Sequence, residues 1–124
     1  MYELMVEDSF DAAHALRGYH GPCENLHGHT WKVQIFLKGK KLNQIGLLED
    51  FKITKKQLKD VLAEFDHKLL NDLKPFESDN PSSENLARLI YEAMKEKISL
   101  VSKVSVWEST TSCSTYWPDR LFGA

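Results

Sequence analysis

Cysteine is scarce in this chain of 124 residues, with only Cys23 and Cys113. Two thiols cannot make a disulfide-rich secreted scaffold, and in a reducing cytosol they are not expected to form a structural bond. No apolar run approaches the ~20 residues that a membrane span needs. Charge of neither sign dominates: 16 Lys and Arg stand against 18 Asp and Glu, for a net charge of −2. That balance argues against a general nucleic-acid or membrane-surface binder. The first residues, Met1-Tyr2-Glu3-Leu4-Met5-Val6-Glu7-Asp8, lack the basic and apolar regions of a signal peptide. A Gly-rich dinucleotide-binding motif, an internal repeat, a low-complexity tract and a dividing linker are also missing. One cytosolic domain over residues 1–124 is therefore expected.

What the chain does have is a concentration of chemistry in Cys23-Glu24-Asn25-Leu26-His27-Gly28-His29, with His14 upstream. Histidines at i and i+2 cannot share a helix face, where successive side chains lie about 100° apart. On a strand they point the same way. The alternation of Trp31, Val33, Ile35 and Leu37 predicts a strand over 28–38, and His27 and His29 share its apolar parity. His14 shares the parity of Tyr2, Leu4, Val6, Phe10 and Ala12 on a first strand over 1–14. If the two strands pair, three imidazoles converge at one end of one sheet face. Three neutral imidazoles with an open fourth position describe a catalytic zinc site better than a structural one.

The rest of the chain predicts a mixed architecture. Residues 15–26, with Gly18, Gly21 and Pro22, read as a loop. Asp50 or Thr54 could cap a first helix, Thr54 with Gln57 as a capping box, and Phe51, Leu58, Val61, Leu62 and Phe65 form its stripe. Residues 66–80 read as irregular. Asn80-Pro81-Ser82-Ser83-Glu84 signals a second helix start, with a stripe of Leu86, Leu89, Ile90, Ala93 and the Lys97 stem. A strand over 100–108 alternates Leu100, Ser102, Val104 and Val106, and a last strand runs over 112–117. The order ββααββ predicts an α+β fold: a four-stranded antiparallel sheet with two helices on one face and open edges suited to assembly.

Other residues carry alternatives. Cys23 could be a fourth ligand, a thiolate base beside a cation, or a packing residue. Glu24 is either a solvated loop acid or part of the same chemistry. Asp66-His67 could be an oriented acid–base pair or a helix-end histidine favoured by the dipole. Glu108 continues the apolar parity of its strand, and a carboxylate held there needs a partner, such as a ligand with adjacent N–H donors, unless it reaches solvent. His20 reads as a loop residue, Cys113 as a small packing residue, and Lys38-Gly39-Lys40-Lys41 as a solvated turn.

Together these residues resemble the 6-pyruvoyl-tetrahydropterin synthase / 6-carboxytetrahydropterin synthase family. The match runs through Phe10-Asp11-Ala12-Ala13-His14, Cys23 to His29, Asp50-Phe51, Asp66-His67-Lys68-Leu69-Leu70-Asn71, Pro81-Ser82-Ser83-Glu84-Asn85-Leu86-Ala87 and Glu108. The resemblance implies the tunnelling fold, in which three sheets join edge to edge into a twelve-stranded barrel and two rings can stack into a homohexamer. It implies one zinc per subunit on His14, His27 and His29. It implies proton transfer by Cys23, Asp66 and His67, with Asp66 and His67 able to reach the metal from a neighbouring subunit. Glu108 would anchor the amino-pyrimidinone edge of a pterin, with Ser82 and Ser83 in contact with it; relatives often carry Thr at one of these two positions. The implied reaction converts 7,8-dihydroneopterin triphosphate to 6-carboxytetrahydropterin with release of acetaldehyde and triphosphate, as in queuosine synthesis, and needs no nicotinamide. A folate-serving branch uses a Glu at the position of Glu24 and makes 6-hydroxymethyl-7,8-dihydropterin. Pyruvoyl-forming members usually have a longer gap before His-Gly-His. A non-catalytic zinc-dependent binding domain of the same fold is the alternative from another class.

Overall fold

The fold was obtained as a computed structural model, which describes residues 1–21 and 24–119. Two long strands, β1 (Tyr2–His14) and β2 (His27–Gly39), pair antiparallel along their whole length. Their register sets His14 opposite His27 and Ala12 opposite His29. The apolar parity is as expected: Val6, Phe10, Ala12 and His14 of β1 and Trp31, Val33, Ile35 and Leu37 of β2 all face the core. Tyr2, at the strand's start, is exposed.

Helix α1 (Phe51–Leu62) begins at Asp50, whose carboxylate accepts the Lys52 N–H at 2.8 Å. Asp50 rather than Thr54 is thus the cap, and such a cap is worth about 1 kcal/mol. Thr54 is buried inside the first turn and donates its hydroxyl to the Asp50 carbonyl. Phe51 is half exposed and leaves the stripe to Leu58, Val61 and Leu62. Helix α2 (Ser83–Lys97) is capped by Ser82, as its start signature predicts. Its buried face is Leu86, Ala87, Ile90, Tyr91 and Met94, with Leu89 and Ala93 at the margin. Lys97 lies exposed rather than over the apolar edge. It is Lys95 whose stem carries its ammonium to the Ser99 and Val101 carbonyls.

Strands β4 (Val101–Trp107) and β5 (Cys113–Tyr116) complete the hairpin at the other end of the chain. A register shift against β2 between Phe36 and Leu37 leaves Ser102 as an extra residue in β4. Such a bulge changes parity, so Val101 and Val104 are both fully buried and the simple alternation from Leu100 does not hold. The segment 66–80, expected to be irregular, contains a two-residue strand, β3 (Lys68–Leu69), which pairs parallel with Ala12 and Ala13. Two single 3₁₀ turns follow it. The sheet is therefore five-stranded, in the order β3-β1-β2-β4-β5, and not wholly antiparallel. A parallel pair of two residues carries no periodicity that a sequence could reveal.

Both helices pack on the same sheet face, in one apolar core that includes Phe10, Trp31, Leu58, Phe76, Leu86 and Met94. Trp31 is fully buried at the histidine end of that core and stacks on Phe10. Among the described residues no helix is long and apolar enough to cross a membrane.

Candidate metal centre

His14, His27 and His29 sit where β1 and β2 leave the core. Their side chains and that of Glu108 offer ligand atoms that all lie within 4.8 Å of one another. The three Nε2 atoms surround one carboxylate oxygen: Glu108 Oε1 is 3.4 Å from His14, 4.0 Å from His27 and 3.0 Å from His29. Glu108 follows β4 directly, and its side chain turns to the histidines, as its parity predicts. His14 is 1% exposed, whereas His27, His29 and Glu108 keep between 24% and 32% of their side-chain surface open. The cluster is thus walled by the core on one side and accessible on the other.

Two of the imidazoles are held by their other nitrogens. His14 Nδ1 lies 2.7 Å from the Pro81 carbonyl, and His27 Nδ1 lies 2.6 Å from the Asn25 carbonyl. A carbonyl can only accept, so each ring donates from Nδ1 and keeps the Nε2 lone pair for the centre of the cluster. Trp31 packs edge-on against both His14 and His29, with centroids 4.8 and 5.1 Å apart. Its indole N–H donates to the Ala12 carbonyl. The Nε2 atoms of His14 and His29 are buried and make no hydrogen bond. Two buried ring nitrogens without a hydrogen-bond partner, beside a third imidazole and a carboxylate, fit a divalent cation, and the nitrogen-rich set suits zinc. Burial pushes the His29 pKa below its ordinary 6.5; Glu108 opposes that shift, and the neighbouring His14 and His27 add to it. The neutral, ligating form is the one favoured.

Asp66 and His67 form a second cluster with Asp11. Helix α1 has ended at Leu62, so His67 is not a last-turn histidine. It adopts a left-handed conformation, φ 58°, and its N–H donates to the Asp11 carbonyl at 2.6 Å. Asp66 accepts the Asp11 N–H at 2.9 Å through Oδ1, and its Oδ2 lies 3.8 Å from His67 Nε2. His67 projects into solvent, 77% exposed. Asp11, His29, Thr30, His67 and Lys68 line an open groove of about 560 Å³ along β1 and β2. Within a single chain the pair therefore stays apart from the three-histidine cluster and borders the same groove as His29.

Ser82 Oγ caps α2 by accepting the Asn85 N–H, and Ser83 Oγ pairs with Ser114 Oγ at 2.6 Å. Glu24 and His20 are exposed, and Cys23 lies outside the described residues. Cys113 is exposed at the sheet edge, not packed as expected. The sequence reading missed Asp11, which joins Asp66 to His67, and the carbonyls of Pro81 and Asn25. Backbone acceptors carry no residue-type signal; the neighbourhood of Asp11 to His14 in one strand was the available hint.

Comparison with known proteins gives a consistent picture. A family model described as 6-pyruvoyl tetrahydropterin synthase matches residues 3–119. A 6-carboxy-5,6,7,8-tetrahydropterin synthase of Synechocystis is 32% identical over 127 residues, covering 98% of this chain and 97% of the relative. A dihydroneopterin monophosphate aldolase of Pyrococcus furiosus is 35% identical over 108 residues, covering 85% and 88%. The solved 6-pyruvoyl tetrahydropterin synthase of Caenorhabditis elegans superposes with a TM-score of 0.87 at 28% identity, covering 95% and 96%.

Proposed function

The chain belongs to the 6-pyruvoyl tetrahydropterin synthase family, and from that premise we propose that it is a zinc-dependent, cytoplasmic lyase. It converts 7,8-dihydroneopterin triphosphate and water to 6-carboxy-5,6,7,8-tetrahydropterin, acetaldehyde and triphosphate, a step of queuosine synthesis. The observation that carries the reading is the convergence of three imidazole Nε2 atoms on one point at the open end of the core.

His14, His27 and His29 would hold one zinc ion per subunit through Nε2. When bound, the ion acts as a Lewis acid that acidifies the substrate's side-chain hydroxyls. Cys23, as thiolate, takes a proton from a side-chain carbon. His67, with Asp66 beside it, carries the opposite proton transfers. Glu108 accepts the parallel N–H donors of the pterin edge, a charge-assisted pair that fixes the ring. Ser82 and Ser83, at the start of α2, border that ring. Two hydrogens lost from the side chain reduce the pterin ring, so no external reductant is required.

The open sheet edges fit the same reading. β3 pairs with β1 only at Ala12 and Ala13, and β5 is four residues long. The long edge of β1 suits strand pairing with a second copy. A ring of three chains, or a homohexamer of two rings, would close the sheet edges and bring Asp66 and His67 of one chain to the metal of its neighbour.

A second reading rests on Glu24, next to Cys23, and on the Pyrococcus furiosus relative named as an aldolase. On that reading the chain also, or instead, makes 6-hydroxymethyl-7,8-dihydropterin for folate synthesis. Mass spectrometry of products from zinc-loaded protein decides between them. The carboxy product with acetaldehyde is expected; the hydroxymethyl product alone moves the chain to the second reading. No turnover by assembled, zinc-bound protein overturns both and leaves a zinc-dependent binding domain.

A further inference from the structure

Beyond His14 the polypeptide leaves the sheet, yet its backbone continues to be paired. β1 and β3 pair in parallel with Ala12 opposite Lys68 and Ala13 opposite Leu69. The same offset carried two residues further sets Ala15 opposite Asn71. There the backbone of the neighbouring segment has turned into a 3₁₀ turn over Leu70–Asp72, so no strand is left to pair with. The Asn71 side chain takes its place. Its Oδ1 accepts the Ala15 N–H and its Nδ2 donates to the Ala15 carbonyl, both at 2.9 Å.

The device is repeated one step on. Asn80 Oδ1 accepts the Arg17 N–H at 2.8 Å, and its Nδ2 donates to the Arg17 carbonyl at 2.9 Å. A side-chain amide carries the same donor and acceptor as a peptide group, which is why asparagine can extend a ladder that the backbone has left. Asn80 is itself held, since its carbonyl accepts Asn85 Nδ2 at 2.8 Å from the first turn of α2. The next residue, Pro81, supplies the carbonyl that orients His14. Arg17 reinforces the clamp from the other side, donating to the Asp79 carbonyl at 3.2 Å.

We infer that Asn71 and Asn80 are positioning residues for the metal centre: their amides replace the missing strand beside residues 15–17 and so hold ligand His14 through the backbone that directly follows it. The inference rests on the zinc-site reading above and adds residues to it. His14 and the backbone after it are gripped at three points: its ring by Pro81, the residue after it by Asn71, and the third residue after it by Asn80. Partners hydrogen-bonded to a ligand itself, as the Pro81 carbonyl is to His14, typically matter about 10- to 100-fold in metal affinity, and residues that act through the backbone beside the ligand are expected at or below the lower end of that range. Through Asn80 and Asn85 the backbone at Arg17 is fixed relative to α2.

The test is zinc affinity of the full chain, measured by competition with a chromophoric chelator, alongside thermal unfolding of the metal-free protein. Asn71→Ala is expected to weaken zinc binding by up to about tenfold, and Asn80→Ala by less. Met94→Ala, a core cavity some three helical turns from Pro81, is the control. It is expected to lower the unfolding temperature with zinc affinity unchanged. Wild-type affinity in the Asn71 variant overturns the inference, as does equal weakening by Met94→Ala, which would assign the effect to general stability. If Asn71→Ala does not fold, Asn71→Asp serves: it keeps the acceptor for the Ala15 N–H and loses the donor. An intermediate affinity supports the clamp, and wild-type affinity overturns it. A wild-type chain that binds no zinc overturns the zinc reading and this inference together, whereas a binding wild type with an indifferent Asn71 variant overturns the inference alone.

Discussion

The two histidine-bearing clusters differ in how finished they are. His14, His27 and His29 are complete within one chain: two rings have their Nδ1 atoms tied to carbonyls, two Nε2 atoms are buried without a hydrogen bond, and a Trp wall backs them. Asp66 and His67 are tied to Asp11 and, through the Asp66 N–H, to the Leu62 carbonyl at the end of α1, but the imidazole itself stands in solvent. A metal site whose ligands are already oriented binds its ion more tightly. On the proposed roles, a proton carrier at an open sheet edge is completed by substrate or by a second copy of the chain. The contrast therefore separates binding from turnover, and substitutions should separate them too.

The largest effect is expected at the finished cluster. His29→Ala leaves two imidazoles, and stoichiometric zinc binding should be lost together with all product, as read by metal analysis after dialysis. Retained zinc at wild-type affinity would break the comparison. His67→Ala should leave zinc content intact and lower kcat by about 10²- to 10⁴-fold, the usual contribution of an acid–base group. A fall in zinc content there would mean that His67 belongs to the metal site after all.

Glu108→Gln sharpens the boundary between the two roles. A charge-assisted contact to the pterin is worth about 1.5–3 kcal/mol, so KM should rise about 10- to 100-fold while zinc stays bound. Loss of zinc instead would make Glu108 a ligand.

The pH dependence follows from the direction at His29. Its folded pKa lies below the ordinary 6.5, chiefly through burial. The unfolded chain then holds the proton more readily, so metal-free stability is full above about pH 6.5 and declines as pH falls through that value. Zinc affinity should decline in the same direction, since protons compete for the ligands. The smallest effect is Asp11→Ala. It removes the 2.6 Å bond to the Thr30 hydroxyl but not the backbone bonds to Asp66 and His67. About 1 kcal/mol of stability is at stake, visible as a few degrees in thermal unfolding with zinc affinity unchanged.

The finished cluster was also the legible one. Parity alone put His14, His27 and His29 on one face, because the strand period is two and a single register joins β1 to β2. Glu108 was placed by the same argument, although the bulge at Ser102 broke the pattern upstream. What escaped the sequence was whatever depends on backbone atoms or on very short pairing. The Pro81 and Asn25 carbonyls, the two-residue β3 and the Asn71 and Asn80 bridges leave no periodicity and no distinctive residue pattern. Thr54 with Gln57 matched a capping box, yet Asp50 four residues earlier took the cap, since Phe51 to Ile53 could be accommodated in the first turn with their side chains half exposed or more.

The most direct test of the account is X-ray absorption spectroscopy of the zinc-loaded protein. Three imidazole nitrogens at about 2.0–2.1 Å with an oxygen completing the shell is the predicted result. A shell with fewer than three imidazoles, or zinc that dialysis removes without trace, would contradict it.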